Sequence, residues 1–177
     1  MWLIKTVLSS LCVSALVCAA PFPALPWERS TAYDGGEFKS LGCPRTTKPW
    51  ATPREQLYAV TNYYDMLFGG NPAKAFAQWT AKDFINHAPD VTGDGRAAAE
   101  KAVDALLSTS KEEIKNVFVG KNSSGVDFAH IYFKGINSHG VGAIMEFWRF
   151  SGNCLVEHWN IAEQVSGVNT SNPKAFF

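Results

Sequence analysis

The sequence predicts an α+β domain in which N-terminal helices cover one face of a curved antiparallel sheet. Between residues 52 and 107, apolar side chains recur at three- and four-residue spacing, which is typical of amphipathic helices. From residue 113 onward, segments rich in β-branched and aromatic residues are separated by turn sequences, which is typical of a strand meander. The chain of 177 residues can bury one core of ordinary size, so a single domain is expected.

Three helices are expected in the first half. Thr52, Pro53 and Glu55 form a capping box with a proline at the first helical position, so the first helix begins there and ends at Gly69. A second cap-plus-proline signal, 71–72, opens a shorter helix that runs through Phe76 and Trp79. A third helix follows a turn-rich stretch, and its predicted apolar side consists of Ala99, Ala102, Val103, Leu106 and Leu107.

Four strands are expected in the second half, over residues 113–121, 126–134, 141–150 and 154–163. In the last hairpin, a three-residue loop with Asn153 left-handed would place Glu146 opposite His158, whereas a two-residue loop would pair Glu146 with Trp159. We expect the first register. The face that carries Glu146 then also carries Trp148, Val156, His158, Asn160 and Ala162, and the opposite face carries Leu155, Glu157, Trp159 and Ile161.

The charge balance argues against polyanionic partners. Lys plus Arg and Asp plus Glu each number 16, so the sequence carries no electrostatic footprint for nucleic acid or for an anionic membrane surface. A charged fraction of 18% with 13% aromatic residues is the opposite of a disordered composition.

The N-terminal segment indicates export. Residues 1–20 combine one early charge at Lys5, a short apolar stretch and small residues before Pro21, a pattern typical of a secretory signal peptide rather than a membrane anchor. We therefore expect a secreted, extracellular protein with no membrane contact after cleavage. An irregular arm is expected over residues 21–51 and a tail over 166–177.

Only two of the four cysteines remain after signal cleavage, namely Cys43 and Cys154. In an oxidising compartment a structural disulfide between them is the simplest expectation, and a reactive free thiol is the alternative. Asn122 and Asn169 begin glycosylation sequons, so a glycoprotein is expected.

Ionisable residues near the last hairpin are candidates for catalysis. Glu146 beside His158 suits proton transfer, and a structural ion pair is the alternative. His87, which lies near the expected pocket mouth, and His130, on a strand, are further catalytic candidates; for His130 the alternative is a core histidine. Aromatic residues expected either to line the cavity or to form plain core are Tyr63, Trp79 and Trp148.

Two segments carry a family resemblance. The run from Trp148 to Asn160 resembles the closing hairpin of the SnoaL-like polyketide cyclase family, which ends in Glu-His-Trp-Asp after an Arg-Phe pair and a turn. Residues 84–89, with an aromatic residue, His87 and Pro89, are similar to a second segment of that family. The resemblance spans residues 52 to about 165 and implies the nuclear-transport-factor-like cone, in which the sheet wraps round three helices and encloses a deep pocket.

The resemblance includes one departure. In the family's cyclases the Asp that closes this run deprotonates a carbon acid and then protonates the new hydroxyl during ring closure, and here that position is Asn160. An amide cannot accept and return a proton, so either the role lies with Glu146, His87 or His130, or the chemistry differs, or there is none. Asn160 remains able to hold a substrate carbonyl. The other expected substrate contacts are His158, Trp148, Trp79 and Tyr63.

The resemblance implies a protein that binds a small hydrophobic carbonyl compound. The expected activity is that of a cofactor-independent lyase or isomerase, meaning a polyketide-type cyclase, isomerase or dehydratase working by acid–base proton transfer. No metal and no cofactor are expected, because the histidines and the two mature cysteines lack metal-ligand spacing and no phosphate-binding glycine loop is present. The alternative is a non-catalytic secreted module of the same fold that binds a small ligand or a protein. Pairing through sheets makes a homodimer a further expectation.

Overall fold

The computed structural model describes Cys43 and residues 51–169, 171–172 and 175–177, which belong to the unit Gly35–Phe177. The predicted signal peptide lies outside the described residues, as does the predicted arm except for Cys43 and Ala51.

Three helices and five strands follow one another along the described chain. In order they are α1 (Pro53–Phe68), α2 (Pro72–Trp79), β1 (Thr80–Asn86), α3 (Arg96–Leu107), β2 (Lys111–Lys121), β3 (Asp127–Asn137), β4 (Gly140–Ser151) and β5 (Cys154–Gln164). The strands form one curved, unclosed sheet in the order β1-β5-β4-β3-β2. The predicted α+β class and the four predicted strands are confirmed.

The first helix begins where the capping residues predict. Thr52 Oγ1 accepts the Glu55 backbone N–H at 3.2 Å, and the Glu55 carboxylate accepts the Thr52 N–H at 2.7 Å. The second helix also begins at its proline, but the predicted side-chain cap is wrong, because Asn71 makes no capping hydrogen bond to the helix. Its amide instead donates to the Gly69 carbonyl at 3.4 Å.

Strand β1 was not predicted, and it makes the sheet mixed rather than wholly antiparallel. It runs parallel to β5, with Thr80 opposite Leu155 and Asn86 opposite His158, and its register is irregular in between. The apolar residues of β1 do not alternate with polar ones, since Phe84 and Ile85 are adjacent, so the sequence shows no strand pattern there. The parallel pairing brings Asn86 beside the ionisable residues of β5.

The predicted loop of the last hairpin is wrong. The loop has two residues, because Ser151 pairs with Cys154, and Gly152 rather than Asn153 takes the left-handed conformation, with φ of 60°. Glycine adopts this conformation at no steric cost, whereas asparagine adopts it with some strain.

Both predicted registers for Glu146 are also wrong. An irregularity in the β4–β5 pairing at Arg149 and Phe150 leaves one extra residue on β5, so Glu146 faces Asn160 and Trp148 faces His158. The shift moves Leu155 to the inner face, where it is fully buried, instead of the predicted outer one. The predicted common face of Glu146, Trp148, His158 and Asn160 is nevertheless retained.

The core fills the space between the helices and the inner face of the sheet. Its largest fully buried side chains include Trp79, Trp148, Tyr63, Tyr64 and Phe76. The predicted apolar side of α3 is only partly correct, because among its five residues only Ala99 is buried and Leu106 is 49% exposed. Val103 and Leu107 are partly buried and also pack against the core, so α3 contacts the core along much of its length and leaves Leu106 exposed.

Candidate active site

A partly open cavity of about 80 Å³ is lined by residues of the three helices, β1, β4, β5 and the segment after β1. This volume holds on the order of six water molecules. Its polar lining is supplied by Tyr63, Asn86, Asp90, Glu146, His158 and Asn160. Part of its apolar wall is the side of α3 formed by Ala99, Ala102, Val103 and Leu106. The apolar side of α3 thus contributes both to the cavity wall and to the core.

A directed chain of hydrogen bonds ends at the Glu146 carboxylate. The Trp148 indole N–H donates to the Tyr64 hydroxyl oxygen at 2.9 Å, and the Tyr64 hydroxyl in turn donates to Glu146 Oε2. An indole nitrogen can only donate, so the tyrosine proton is left for the carboxylate. Burial, and next the nearby Glu146 charge, raise the pKa of Tyr64 well above its usual value, so it remains a donor across the physiological range.

His158 lies beside this carboxylate. Its Nε2 is 3.6 Å from Glu146 Oε2, which is longer than a hydrogen bond, and it is a buried atom without a hydrogen-bond partner among the described residues. Its Nδ1 is 3.0 Å from Asn86 Oδ1, and its ring lies 4.4 Å from the Trp148 ring, centroid to centroid. The imidazole is thus held by one nitrogen and presents the other toward Glu146.

Asn160 and Tyr63 complete the polar lining. The Asn160 Oδ1 atom is buried and has no hydrogen-bond partner in the described part of the chain. Tyr63 is almost fully buried, and burial followed by the Glu146 charge raises its pKa well above the usual value. Unpaired polar atoms are costly in a protein interior, so a buried acceptor at a cavity wall is suited to pairing with a ligand.

His87 lies outside the cavity, on the outer face of the sheet. Its Nε2 is 2.9 Å from Glu157 Oε1, and its ring stacks on Trp159 at 4.8 Å and 8°. Arg149 Nε donates to the other oxygen of Glu157 at 2.6 Å. Partial burial acts to raise the pKa of Glu157, but the hydrogen bonds and charges of His87 and Arg149 outweigh it and hold the pKa below its usual value.

His130 also lies on the outer face. It stacks on Phe118 at 4.5 Å and 6°, and its ring meets Phe147 edge to face at 4.8 Å. Partial burial lowers its pKa. Trp79 does not line the cavity either: its indole N–H donates to Asn62 at 2.9 Å, and its ring belongs to the core.

The structure therefore brings together five of the eight predicted site residues: Tyr63, Glu146, Trp148, His158 and Asn160. It leaves His87, His130 and Trp79 elsewhere. Sequence reasoning missed Tyr64 and Asn86. Tyr64 has the helical spacing of an ordinary core residue, and nothing in its sequence context marks its hydroxyl. Finding Asn86 would have required recognition of β1.

The predicted disulfide is present. Cys43 and Cys154 are bonded, with their Cα atoms 4.9 Å apart and their positions 111 apart in the sequence. Nearby, the buried Gln56 amide donates to the Gly152 carbonyl at 3.0 Å, which ties α1 to the last hairpin. Both sequon asparagines, Asn122 and Asn169, are exposed, and their glycosylation stays a prediction.

Solved structures match this fold at low sequence identity. An NTF2-like protein of unknown function from Mesorhizobium loti aligns with a TM-score of 0.53 and 16% identity over 66% of this chain and 98% of that one. This chain has the NTF2-like fold.

Two other solved structures that align with this chain carry functional names. A steroid delta-isomerase from Pseudomonas aeruginosa aligns with a TM-score of 0.53 and 10% identity over 67% of this chain and 85% of that one. A protein from Xanthomonas campestris pv. campestris, provisionally named a polyketide cyclase, has a TM-score of 0.49 and 17% identity over 62% of this chain and 91% of that one. No family model and no curated protein matches the sequence.

Within the described residues, no helix has both the length and the apolar character needed to cross a membrane.

Proposed function

We propose that this protein is a cofactor-independent acid–base enzyme, a lyase or isomerase, that moves a proton on a small hydrophobic carbonyl compound. The observation that carries the proposal is the placement of the Glu146 carboxylate at the cavity wall, 3.6 Å from His158 Nε2 and bonded by the Tyr64 hydroxyl. The gap of 3.6 Å is wider than a hydrogen bond, and catalytic contacts of this kind often tighten when substrate binds, which would let the two groups pass a proton between them. The polyketide-type substrates implied by the SnoaL-like resemblance belong to this class.

In the proposed reaction, Glu146 takes a proton from the carbon next to the substrate carbonyl. The negative charge that develops on the carbonyl oxygen is stabilised by a donor from the cavity wall, for which the Asn160 amide and the Tyr63 hydroxyl are placed. The proton then returns to a different carbon in an isomerisation, to the new hydroxyl in a ring closure, or to the departing hydroxyl in a dehydration. No net proton, oxidant or reductant is consumed.

The assignment differs from the family pattern at one position. The acid–base Asp of the SnoaL-like run corresponds to Asn160, whose cross-strand neighbour is Glu146. A carboxylate moved from β5 to the paired position on β4 reaches the same cavity, so the role is retained by a different strand. A steroid delta-isomerase with the same fold carries a related activity in its name, which supports the proposed reaction class.

The test is solvent exchange at carbon. Cyclopentanone and 2-tetralone, two ketones of different size, are incubated in deuterated buffer with the mature protein, and deuterium uptake next to the carbonyl is followed by NMR. We expect wild-type catalysis of exchange and a loss of at least about 100-fold in Glu146→Gln. Glu163→Gln is the matched control, since Glu163 is exposed and does not line the cavity. Equal exchange by Glu146→Gln and wild type would remove Glu146 from the mechanism.

The alternative is a non-catalytic binding module, and the amide at Asn160 favours it. Under this alternative the polar cavity binds a small ligand and releases it unchanged. The two readings differ in one result, because a binding module retains the ketone without accelerating exchange. Binding by calorimetry together with a background exchange rate in the wild type would support the module.

Export is proposed from the sequence. The mature chain is expected to begin at Pro21 and to carry glycans at Asn122 and Asn169. The Cys43–Cys154 disulfide supports a secreted protein. Intact-mass analysis of protein collected from the medium of its own cells tests both points, and a mass that retains residues 1–20 would contradict export with cleavage.

A homodimer through the outer face of the sheet is also proposed. Phe118, His130, Phe147 and Trp159 are direct cross-strand neighbours and form one row across four strands. Ile161, 67% exposed, lies beside the row. Sedimentation of wild type and Ile161→Glu tests the proposal: the wild type is expected to be dimeric and the variant monomeric, and a monomeric wild type would contradict it.

A further inference from the structure

We propose that Asn86 is a positioning residue that holds His158 as the Nδ1-protonated tautomer, so that Nε2 is an acceptor facing Glu146. The catalytic meaning of this inference rests on the proposed function. The tautomer itself is a property of the resting protein and is measured without any substrate.

The atom of Asn86 that meets the ring is fixed by a second hydrogen bond. The Ala88 backbone N–H donates to Asn86 Oδ1 at 3.1 Å, and the same oxygen lies 3.0 Å from His158 Nδ1. A backbone N–H only donates, so the side-chain atom that receives it is the amide oxygen rather than the nitrogen. An oxygen cannot donate to Nδ1, and Nδ1 therefore carries a proton. In the neutral ring, Nε2 is then left with its lone pair.

The backbone holds both partners in place. Asn86 and His158 are register neighbours in the parallel β1–β5 pair, and the next residue, His87, donates its backbone N–H to the His158 carbonyl at 2.8 Å. The Asn86 backbone N–H is itself held by the Asp94 carboxylate at 2.8 Å. Since Trp148 covers the imidazole face at 4.4 Å, ring rotation is restricted as well. The tautomer is thus set by two side chains that the backbone and the Trp148 ring hold in fixed positions.

The consequence concerns the gap between His158 and Glu146. Two acceptor atoms face each other at 3.6 Å, and Glu146 Oε2 already receives the Tyr64 proton. A proton delivered to this pair is shared between a carboxylate and an unprotonated imidazole nitrogen, which lets His158 take it from Glu146 or return it. With the opposite tautomer, Nε2–H would donate to Glu146 permanently, and the imidazole could not accept. Asp90 and Tyr63 are the other ionisable groups that line this cavity with the pair.

The experiment is a long-range proton–nitrogen correlation spectrum of the mature, disulfide-bonded protein labelled with nitrogen-15 histidine, recorded at about pH 8, where a free imidazole is neutral. The chain has four histidines, and the His158 signals are assigned by their loss in His158→Gln. Asn86→Leu removes the acceptor, and Asn86→Asp retains it. Asn137→Ala is the control. Asn137 Oδ1 accepts the backbone N–H of His139 at 2.8 Å, as Asn86 Oδ1 accepts that of Ala88, but Asn137 makes no hydrogen bond to His158.

We expect His158 to be protonated on Nδ1 in wild type, Asn86→Asp and Asn137→Ala, and to shift toward Nε2–H in Asn86→Leu. An Nε2–H tautomer in the wild type overturns the inference, as does an unchanged tautomer in a folded Asn86→Leu. If Asn86→Leu does not fold, Asn86→Gln displaces the same oxygen by one methylene and the wild-type tautomer remains decisive.

Ketone exchange separates this inference from the proposed function. If both hold, Asn86→Leu lowers kcat with little change in KM, and Asn86→Asp restores it. If the tautomer is as expected but no variant or wild type catalyses exchange, the proposed function fails and the positioning of His158 stands as a feature of a binding site.

Discussion

Tyr64 of α1 donates its hydroxyl proton to Glu146 of β4, 82 positions later in the sequence. The contact joins the first helix to the centre of the sheet and fixes one oxygen of the carboxylate at the cavity wall. Trp148 completes the arrangement by donating to the same tyrosine oxygen at 2.9 Å. The three residues link the packing of the core to the electrostatics of the candidate site.

Tyr64→Phe is predicted to destabilise the protein by about 1–3 kcal/mol. The substitution leaves the Trp148 indole N–H without its acceptor and Glu146 without its donor, while it opens little space. Urea denaturation measures the change. Tyr132→Phe is the control, because its hydroxyl bonds the Phe176 carbonyl near the chain end, and its loss should cost less. Equal stability of Tyr64→Phe and wild type would show that the hydrogen bonds of the Tyr64 hydroxyl contribute nothing to the free energy of unfolding.

Stability is predicted to fall in alkali because of Tyr63 and Tyr64. Burial and the Glu146 charge raise both pKa values, so the folded state keeps protons that the unfolded state releases above about pH 10. The stabilisation that goes with these raised pKa values is fully present below that pH. As the pH rises further, the free energy of unfolding falls by up to about 1.4 kcal/mol per pH unit for each tyrosine. Denaturation series at several alkaline pH values measure it. In Tyr64→Phe the free energy of unfolding is expected to fall less steeply with pH, because only Tyr63 then contributes. An unchanged slope would contradict this.

His87, which directly follows β1, and His158, within β5, are predicted to behave differently. His158→Gln should slow ketone exchange strongly, because the ring is the proton partner of Glu146. His87→Ala should leave exchange close to wild type and affect only the Glu157 contact on the outer face. The exchange rates of the two variants, measured under the same conditions, test both expectations. A strong loss in His87→Ala alone would place the chemistry on the outer face of the sheet.

Removal of the disulfide is predicted to destabilise the chain by about 2–5 kcal/mol. The bond closes a loop of more than a hundred residues and holds Cys43 against the start of β5. Thermal unfolding of the double variant Cys43→Ser/Cys154→Ser checks the prediction. Reduction of the wild type with a thiol is the matched treatment and should lower Tm by the same amount; no change in either would contradict a structural role.

Leu106 is predicted to control ligand size. It lines the cavity from α3 yet is 49% exposed, so its truncation should change stability by less than about 0.5 kcal/mol. Leu106→Ala is expected to favour exchange of 2-tetralone over cyclopentanone, and Leu106→Trp the reverse. Ile136→Ala, at a position 40% exposed and outside the cavity lining, is the control. An unchanged preference in both Leu106 variants would show that Leu106 does not control ligand size.

Local patterns predicted most of the fold. The capping box at Thr52 and the prolines at the helix starts are short-range signals, and the structure places α1 and α2 where they indicate. The four antiparallel strands also follow from local composition. Strand β1 could not be found this way, because its pairing partner lies some seventy residues later and its own sequence does not alternate.

The candidate site was predicted only in part, because local patterns give the face of a strand on which a residue lies but not the exact register. Glu146, His158 and Asn160 were placed on one face because side chains alternate along a strand, even though the detailed register was wrong. The register depended on one extra residue in β5, which no local pattern marks. His87 was expected in the pocket, yet it follows Asn86 on β1 and therefore points to the opposite face. A one-residue step along a strand exchanges the two sides of a sheet.

The most direct test of the central claim is the rate of deuterium uptake by 2-tetralone with wild type and with Glu146→Gln, measured under identical conditions. The proposed acid–base role predicts catalysed uptake by the wild type and a rate lower by at least about 100-fold in the variant, with its fold and disulfide intact. Uptake at the same rate in both proteins would contradict it.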